Sequence, residues 1–156
     1  MKGDATRGAG EETAGRTLAL DFGDRRIGIA VSDPLGIAAT PLLTLERTTR
    51  DRDLQRIRSL VLEHEVRRIV VGLPLDMDGA RGGRVRITET FMQRVAAATG
   101  IPVVPWDERL TTVQAERTLL EADLSRARRR QVIDQVAAVI LLQTYLDAQR
   151  AGGGER

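Results

Sequence analysis

The sequence predicts an α/β domain built on a five-stranded mixed sheet flanked by helices, three strands antiparallel and then two parallel. Three observations carry that expectation. The chain opens its ordered part with three short apolar runs separated only by tight polar turns, the pattern of an antiparallel meander. Two later apolar runs, at 69–73 and 101–106, alternate with segments of helical periodicity, the pattern of parallel strands joined by helical crossovers. At 156 residues the chain is the size of one domain, with enough length for a core that needs no staples.

Residues 1–16 are rich in Gly, Ala, Thr and charge without periodicity, and are expected to form a disordered tail ahead of a domain at 17–148. Thr17 to Phe22 and Ile27 to Ser32 read as strands, joined as a hairpin by Gly23-Asp24-Arg25-Arg26. Asp33-Pro34-Leu35-Gly36 is a second turn, and Ile37 to Leu45 a third strand whose Pro41 points to an edge or a bulge. A helix follows at about Arg50 to Glu65, with Leu54, Ile57, Leu60 and Val61 on one stripe. Ile69 to Leu73 is continuously apolar, as in a strand covered on both faces.

The loop Pro74 to Gly83 is long for a simple connection, and a substrate clamp is expected there rather than a merely flexible link. Helical periodicity resumes from Arg84 to Thr99, with Ile87, Phe91, Val95 and Ala98 as its stripe and Gly100 as its stop. Ile101 to Trp106 is the fifth strand. Thr111 with Gln114 is a capping-box pattern opening a helix to about Ala122. The last helix spans about Arg128 to Ala148, before a flexible tail at 149–156.

Hydrophobic residues make up 42% of the chain, ordinary for a soluble globule, and no apolar run approaches a membrane span. The N-terminus lacks an apolar signal core, so a cytoplasmic protein is expected. The absence of cysteine excludes disulfides and thiolate metal sites. Lysine occurs once, at Lys2, and every other base is arginine. Runs such as Arg126 to Arg130 and Arg81, Arg84 and Arg86 suit phosphates, although such clusters are more often solvated faces. Aromatics amount to only 3%, so a base-stacking platform has little support.

The chemistry centres on acids. Asp21 sits in an apolar strand, where a carboxylate must be paired, hydrogen-bonded or bound to a cation. Glu108 follows the fifth strand on the face of Val104 and Trp106, while Asp107 takes the other face. Parallel strands end at one edge of a sheet, so Asp21 and Glu108 can approach each other there. Asp134 shares a helix face with Ala137, Ala138, Leu141 and Tyr145, which directs it inward. The competing reading of Asp134 is an acid favoured by the helix dipole, or a partner for Arg130. Three carboxylates without cysteine suit Mg²⁺ or Mn²⁺. Two such ions can activate water and stabilise the leaving oxygen in phosphodiester hydrolysis, while offsetting repulsion among the acids.

The ordered set of segments resembles the YqgF family, also called RuvX, within the RNase H-like fold. Four segments carry the resemblance: Asp21-Phe22-Gly23 through Arg26-Ile27-Gly28 to Ser32-Asp33; Val71-Gly72-Leu73-Pro74-Leu75 with Met77-Asp78-Gly79; Asp107-Glu108-Arg109-Leu110-Thr111-Thr112; and Asp134 with Ala137-Ala138 and Leu142-Gln143. It implies metal-dependent cleavage of nucleic acid with Asp21, Glu108 and Asp134 as catalytic and metal-ligating acids. Substrate phosphates would fall to Arg26, Arg81, Arg109, Arg128, Arg129 and Arg130, although Arg109 equally suits a pairing with Asp107. The family is associated with maturing the 5′ end of small-subunit ribosomal RNA, and some members resemble four-way DNA junction resolvases. Precursor rRNA, DNA junctions and pre-ribosomal particles are therefore the expected partners, with the protein a monomer or homodimer away from membranes.

Two features depart from the family pattern. Asp76 stands where Asn is usual, and the basic run before Asp134 is all arginine where lysine is common. The strand–Asp–x–Gly–strand opening also occurs in actin-like ATPases and sugar kinases, but they need two such domains and this chain has room for one. A non-catalytic ribosome-assembly or transcription factor is the third reading, and three retained acids argue against it. His64 is expected at the surface, Trp106 in the core, Asp24 in a turn, and Asp33 in a turn or supporting the acids.

Overall fold

The computed structural model describes residues 15–75, 82–110 and 126–153. Strands β1 (Arg16–Phe22), β2 (Arg26–Ser32) and β3 (Ala39–Glu46) precede helix α1 (Arg50–Glu63). Strand β4 (Val66–Leu73), helix α2 (Gly83–Thr99) and strand β5 (Val103–Asp107) follow, then a short 3₁₀ turn (Glu108–Leu110) and the long helix α3 (Arg126–Gly153). The sheet order is β3-β2-β1-β4-β5. Its first three strands are antiparallel, while β4 runs parallel to both β1 and β5. The mixed sheet expected from the sequence is the one observed, with β1 at its centre.

Side chains on a strand alternate between faces, and β1 divides its residues accordingly. Leu18 and Leu20 join Ile27, Ile29, Ile57 and Ile69 in a core beneath α1 and α2. Ala19 joins Ala30, Val70 and, from α3, Ala138, Leu141 and Tyr145 in a second core on the opposite face. Small residues on both partners let α3 approach the sheet closely. Burying each leucine of α3 contributes about 1.5–3 kcal/mol to that docking. The helical stripe read from the sequence is therefore correct: Ala137, Ala138, Leu141 and Tyr145 are all buried. Trp106 lies at the margin of this core, its ring edge-on to Tyr145 at 5.4 Å.

The edge strand needs its own fastening. Between Ile29 and Ala30 of β2 the pairing slips so that Leu43 and then Pro41 stand opposite, which makes Leu42 a bulge beside the proline. Gln143 of α3 accepts from Ala39 N and donates to Ile37 O, both at 2.9 Å, tying the start of β3 to the helix. Arg150 also donates to Ile37 O and pairs with Asp147. These contacts explain one correction: the region read as a flexible tail from 149 is helical through Gly153.

Other boundaries follow local chemistry. Thr49 caps α1 by accepting from Arg52 N, and the buried Asp53 carboxylate accepts from Thr48 N and Oγ1. Helix α1 stops at Glu63 rather than Glu65, because His64 caps it and Glu65 takes a positive φ of 54°. Gly100 ends α2 in the left-handed conformation, as its sequence position suggested. The helix expected from Thr111 to Ala122 lies outside the described residues, as does most of the Pro74 to Gly83 loop.

Asp33 closes the turn between β2 and β3, accepting from Ile37 N at 2.7 Å and Ala38 N at 3.0 Å. These amides, Ala38 foremost, hold its carboxyl below the usual carboxylate range. A depressed folded pKa gives stability that is present above the unfolded value and lost as pH falls through the folded one. The wild-type protein should therefore unfold at higher urea than Asp33→Asn at pH 7. That gap should shrink below about pH 4, and a gap constant across pH would refute this role.

Candidate active site

The site lies where β1, β4 and β5 end, at one edge of the sheet and on the face covered by α3. Asp21 and Gly28 are directly paired across β1 and β2. On its other side β1 meets β4, where Leu20 pairs with Val71, so the next step along the ladder sets Asp21 beside Gly72. Asp21 thus stands in a row with a glycine on either flank, all three on the α3 face. Each glycine leaves room for one remote acid.

At Gly28 the gap is filled by α3. A Cβ there would collide with the backbone carbonyl of Asp134, so only glycine lets the helix sit this close to β2. At Gly72 the gap is filled by Glu108: a Cβ would come within 2.6 Å of its Oε2 and 3.0 Å of its Cγ. What the two glycines lack lets α3 come down on β2 at Asp134 and seats Glu108 over β4, on either side of Asp21. Asp21, Glu108 and Asp134 all line one open pocket of about 480 Å³, together with Arg25, Arg26 and Arg84.

Two ion pairs hold the acids in place. Arg26 Nε donates to Asp134 Oδ2 at 2.7 Å, both side chains largely shielded from solvent. The sequence offered Arg130 as a partner for Asp134; that side chain lies outside the described residues, and the partner seen is Arg26, on β2. The second pair brackets Glu108. Arg109 donates to Asp107 from its backbone N at 2.9 Å and from Nη2 at 2.7 Å, clamping the 3₁₀ turn that presents Glu108. The Arg109 guanidinium also holds the Asp107 carboxyl below its ordinary range. Arg26 and Arg109, both expected on substrate phosphates, are here engaged with the protein's own carboxylates.

Arg81 lies outside the described residues, and Arg128, Arg129 and Arg130 are described only as part of the backbone of α3. Asp24 does serve the hairpin turn, and it also pairs with Arg84 of α2 at 3.0 Å. His64 caps α1 just before β4, at the far end of the strand from the acids. Sequence reasoning missed the roles of Gly28 and Gly72. A signal existed, since glycine inside an apolar strand often marks close approach of another group.

In this conformation Arg26 engages Asp134, and among the described residues no three acids are grouped tightly enough to share an ion. The donor set nevertheless fits a hard divalent cation: oxygen ligands only, around a carboxylate that the fold buries to 8% exposure. Gly72→Ala tests the seating of Glu108. Because the collision is with a flexible side chain, stability should fall by only about 1 kcal/mol, while cleavage falls about tenfold or more as the carboxylate is displaced. Full activity in that variant would show that Glu108 does not need the gap.

The five-stranded mixed sheet, ordered β3-β2-β1-β4-β5 and flanked by helices, has the RNase H-like fold. Its fold is that of Thermus thermophilus RuvC solved with a Holliday junction, at a TM-score of 0.55 and 15% identity, covering 87% of this chain and 96% of that one. The chain belongs to the RuvX family, described as Holliday junction resolvase, whose model matches residues 15–148. Among curated relatives, one from Myxococcus xanthus is 53% identical over 86% of this chain and 89% of its own length. One from Symbiobacterium thermophilum is 50% identical over 85% of this chain and 92% of its own. Both carry the name "Putative pre-16S rRNA nuclease".

Proposed function

We propose that this protein is a divalent-metal-dependent nuclease that hydrolyses phosphodiester bonds at the 5′ end of precursor 16S rRNA. The observation that carries the reading is the row at the sheet edge: Asp21 flanked by Gly28 and Gly72, with Asp134 and Glu108 brought over the two gaps. A protein that only gripped nucleic acid would gain nothing by converging three acids where phosphates must pass. Asp21, Glu108 and Asp134 would hold Mg²⁺ or Mn²⁺, with two ions the expected number. Bound there, such ions supply activation of water and stabilisation of charge on the leaving oxygen.

The protein's own groups do the remaining work. Strand β1 fixes Asp21 in a sheet that cannot easily yield. The Asp107–Arg109 clamp holds the turn bearing Glu108. Arg26 balances the charge of Asp134 and stands ready to meet a phosphate when that carboxylate is otherwise engaged. Arg25, Arg26 and Arg84 ring the same pocket and draw a polyanion toward the acids. The names of the relatives support the rRNA substrate. The family description supports a second reading, cleavage of four-way DNA junctions, and a junction resolvase would act as a symmetric dimer.

A cleavage panel separates the readings. Labelled precursor 16S rRNA, single-stranded RNA and four-way DNA junctions would be incubated with Mg²⁺ or Mn²⁺, with Asp21→Asn as the blank. Preferential shortening of the precursor is expected. Symmetric cutting of the junction alone would replace the rRNA reading, and no cleavage of any substrate would overturn both. Among the described residues no helix is long and apolar enough to cross a membrane.

A further inference from the structure

Behind the acid site, on the other face of the sheet, lies a second pocket of about 280 Å³. We infer that it is a nucleotide subsite, which takes one base and its phosphate from the substrate strand after that strand rounds the sheet edge. The inference rests on the nuclease reading for its substrate class, but its evidence is separate. Asp21 and Phe22 are consecutive in β1 and so face opposite sides of the sheet. The two pockets lie on either side of the end of that strand, and a small depression between them shares Gly23, Asp24 and Arg84 with the first and Arg47 and Ile87 with the second.

The chemistry of the pocket fits a nucleotide better than simpler ligands. Both phenylalanines of the chain are here, Phe22 and Phe91 stacked at 4.0 Å with an interplanar angle of 14°. With Phe91 on one face of the Phe22 ring, the Arg47 guanidinium covers the other at 4.4 Å. Arg47 also donates to the carbonyls of Gly23 at 2.8 Å and Asp24 at 2.9 Å, so its plane is fixed by the turn beside the acids. Guanidinium planes of this kind stack on nucleobases.

Arg50 and Arg94 add positive charge to the wall. The one carboxylate there, Asp53, is occupied by Thr48. Ile87 stands 60% exposed on the same wall. A free phosphate has no use for Ile87, Leu54 and the edges of the phenylalanines, and an apolar peptide has none for three guanidinium groups. A base with its phosphate uses both.

The test is binding of a fluorescent single-stranded RNA, followed by anisotropy without divalent cation. It uses wild type, Ile87→Glu, Arg94→Glu and a control, Arg58→Glu, on exposed α1 outside the pocket. The RNA is offered intact and as a series lacking one base at successive positions. Thermal unfolding confirms that each variant is folded. For wild type and Arg58→Glu, one missing base should cost about tenfold or more in affinity. In Ile87→Glu and Arg94→Glu that same omission should cost less than about twofold, because the base has already lost its pocket.

Absence of any sensitive position, or a full penalty retained in both pocket variants, overturns the subsite. So does an Arg58→Glu protein that behaves like the pocket variants, since the effect would then be bulk charge. A base-dependent result in a protein that cleaves no nucleic acid with Mn²⁺ overturns the nuclease reading alone and upholds the subsite.

Discussion

Asp21→Asn is expected to lower cleavage by about three orders of magnitude or more while leaving the protein folded. The side chain lies in the central strand, between the two glycines over which Asp134 and Glu108 are seated, and lines one pocket with both. Asparagine has the same shape and keeps one acceptor oxygen, but it loses the charge that a divalent cation needs. The fold should not suffer, because asparagine keeps the shape and volume of the side chain within the strand. Circular dichroism should therefore give an unfolding temperature no lower than that of the wild type. Undiminished cleavage would remove Asp21 from the mechanism, and a collapse of the fold would show that it serves structure instead.

Gly28→Ala should damage stability and activity together. The added methyl would lie closer than 3.0 Å to the Asp134 carbonyl, a separation that Cβ atoms do not adopt, and the obstacle is backbone rather than a movable side chain. Helix α3 must therefore lift from β2. Overpacking of this kind costs about 1–3 kcal/mol. A displacement of about 1 Å at a reacting group costs about a hundredfold in rate. Urea unfolding and the cleavage assay together measure both effects. The contrast with Gly72→Ala is diagnostic: the same methyl there meets a flexible carboxylate, so activity should fall without a comparable loss of stability. A stable, fully active Gly28→Ala protein would mean that the helix does not need this approach.

These glycines also mark where the sequence was legible and where it was not. The three acids could be singled out as candidates because each stands in a recognisable local context: an apolar strand for Asp21, a strand end for Glu108, an inward helix face for Asp134. The bulge at Leu42 was signalled by Pro41, and the end of α2 by Gly100. Gly28 and Gly72 lie within segments that resemble the family, yet their purpose depends on register. Only the pairing of Asp21 with Gly28, and of Leu20 with Val71, sets the acid between two gaps.

Long-range partners were equally hidden. Arg26 and Asp134 are 108 residues apart, and no local pattern favours that pair over one with Arg130. The last turns of α3 were misread because glycines suggest a stop. Arg150, held by Ile37 and Asp147, outweighs that local preference. Low aromatic content argued against base stacking, and composition could not reveal that both phenylalanines and Arg47 meet in one pocket.

The central claim is that Asp21, Glu108 and Asp134 form one cation site across the two glycine gaps. Titration of Mn²⁺ followed by electron paramagnetic resonance tests it without any nucleic acid. The wild type should bind Mn²⁺ saturably, and Asp21→Asn, Glu108→Gln and Asp134→Asn should each weaken that binding by about tenfold or more. Three variants that bind Mn²⁺ as the wild type does, or a wild type that binds none, would contradict it.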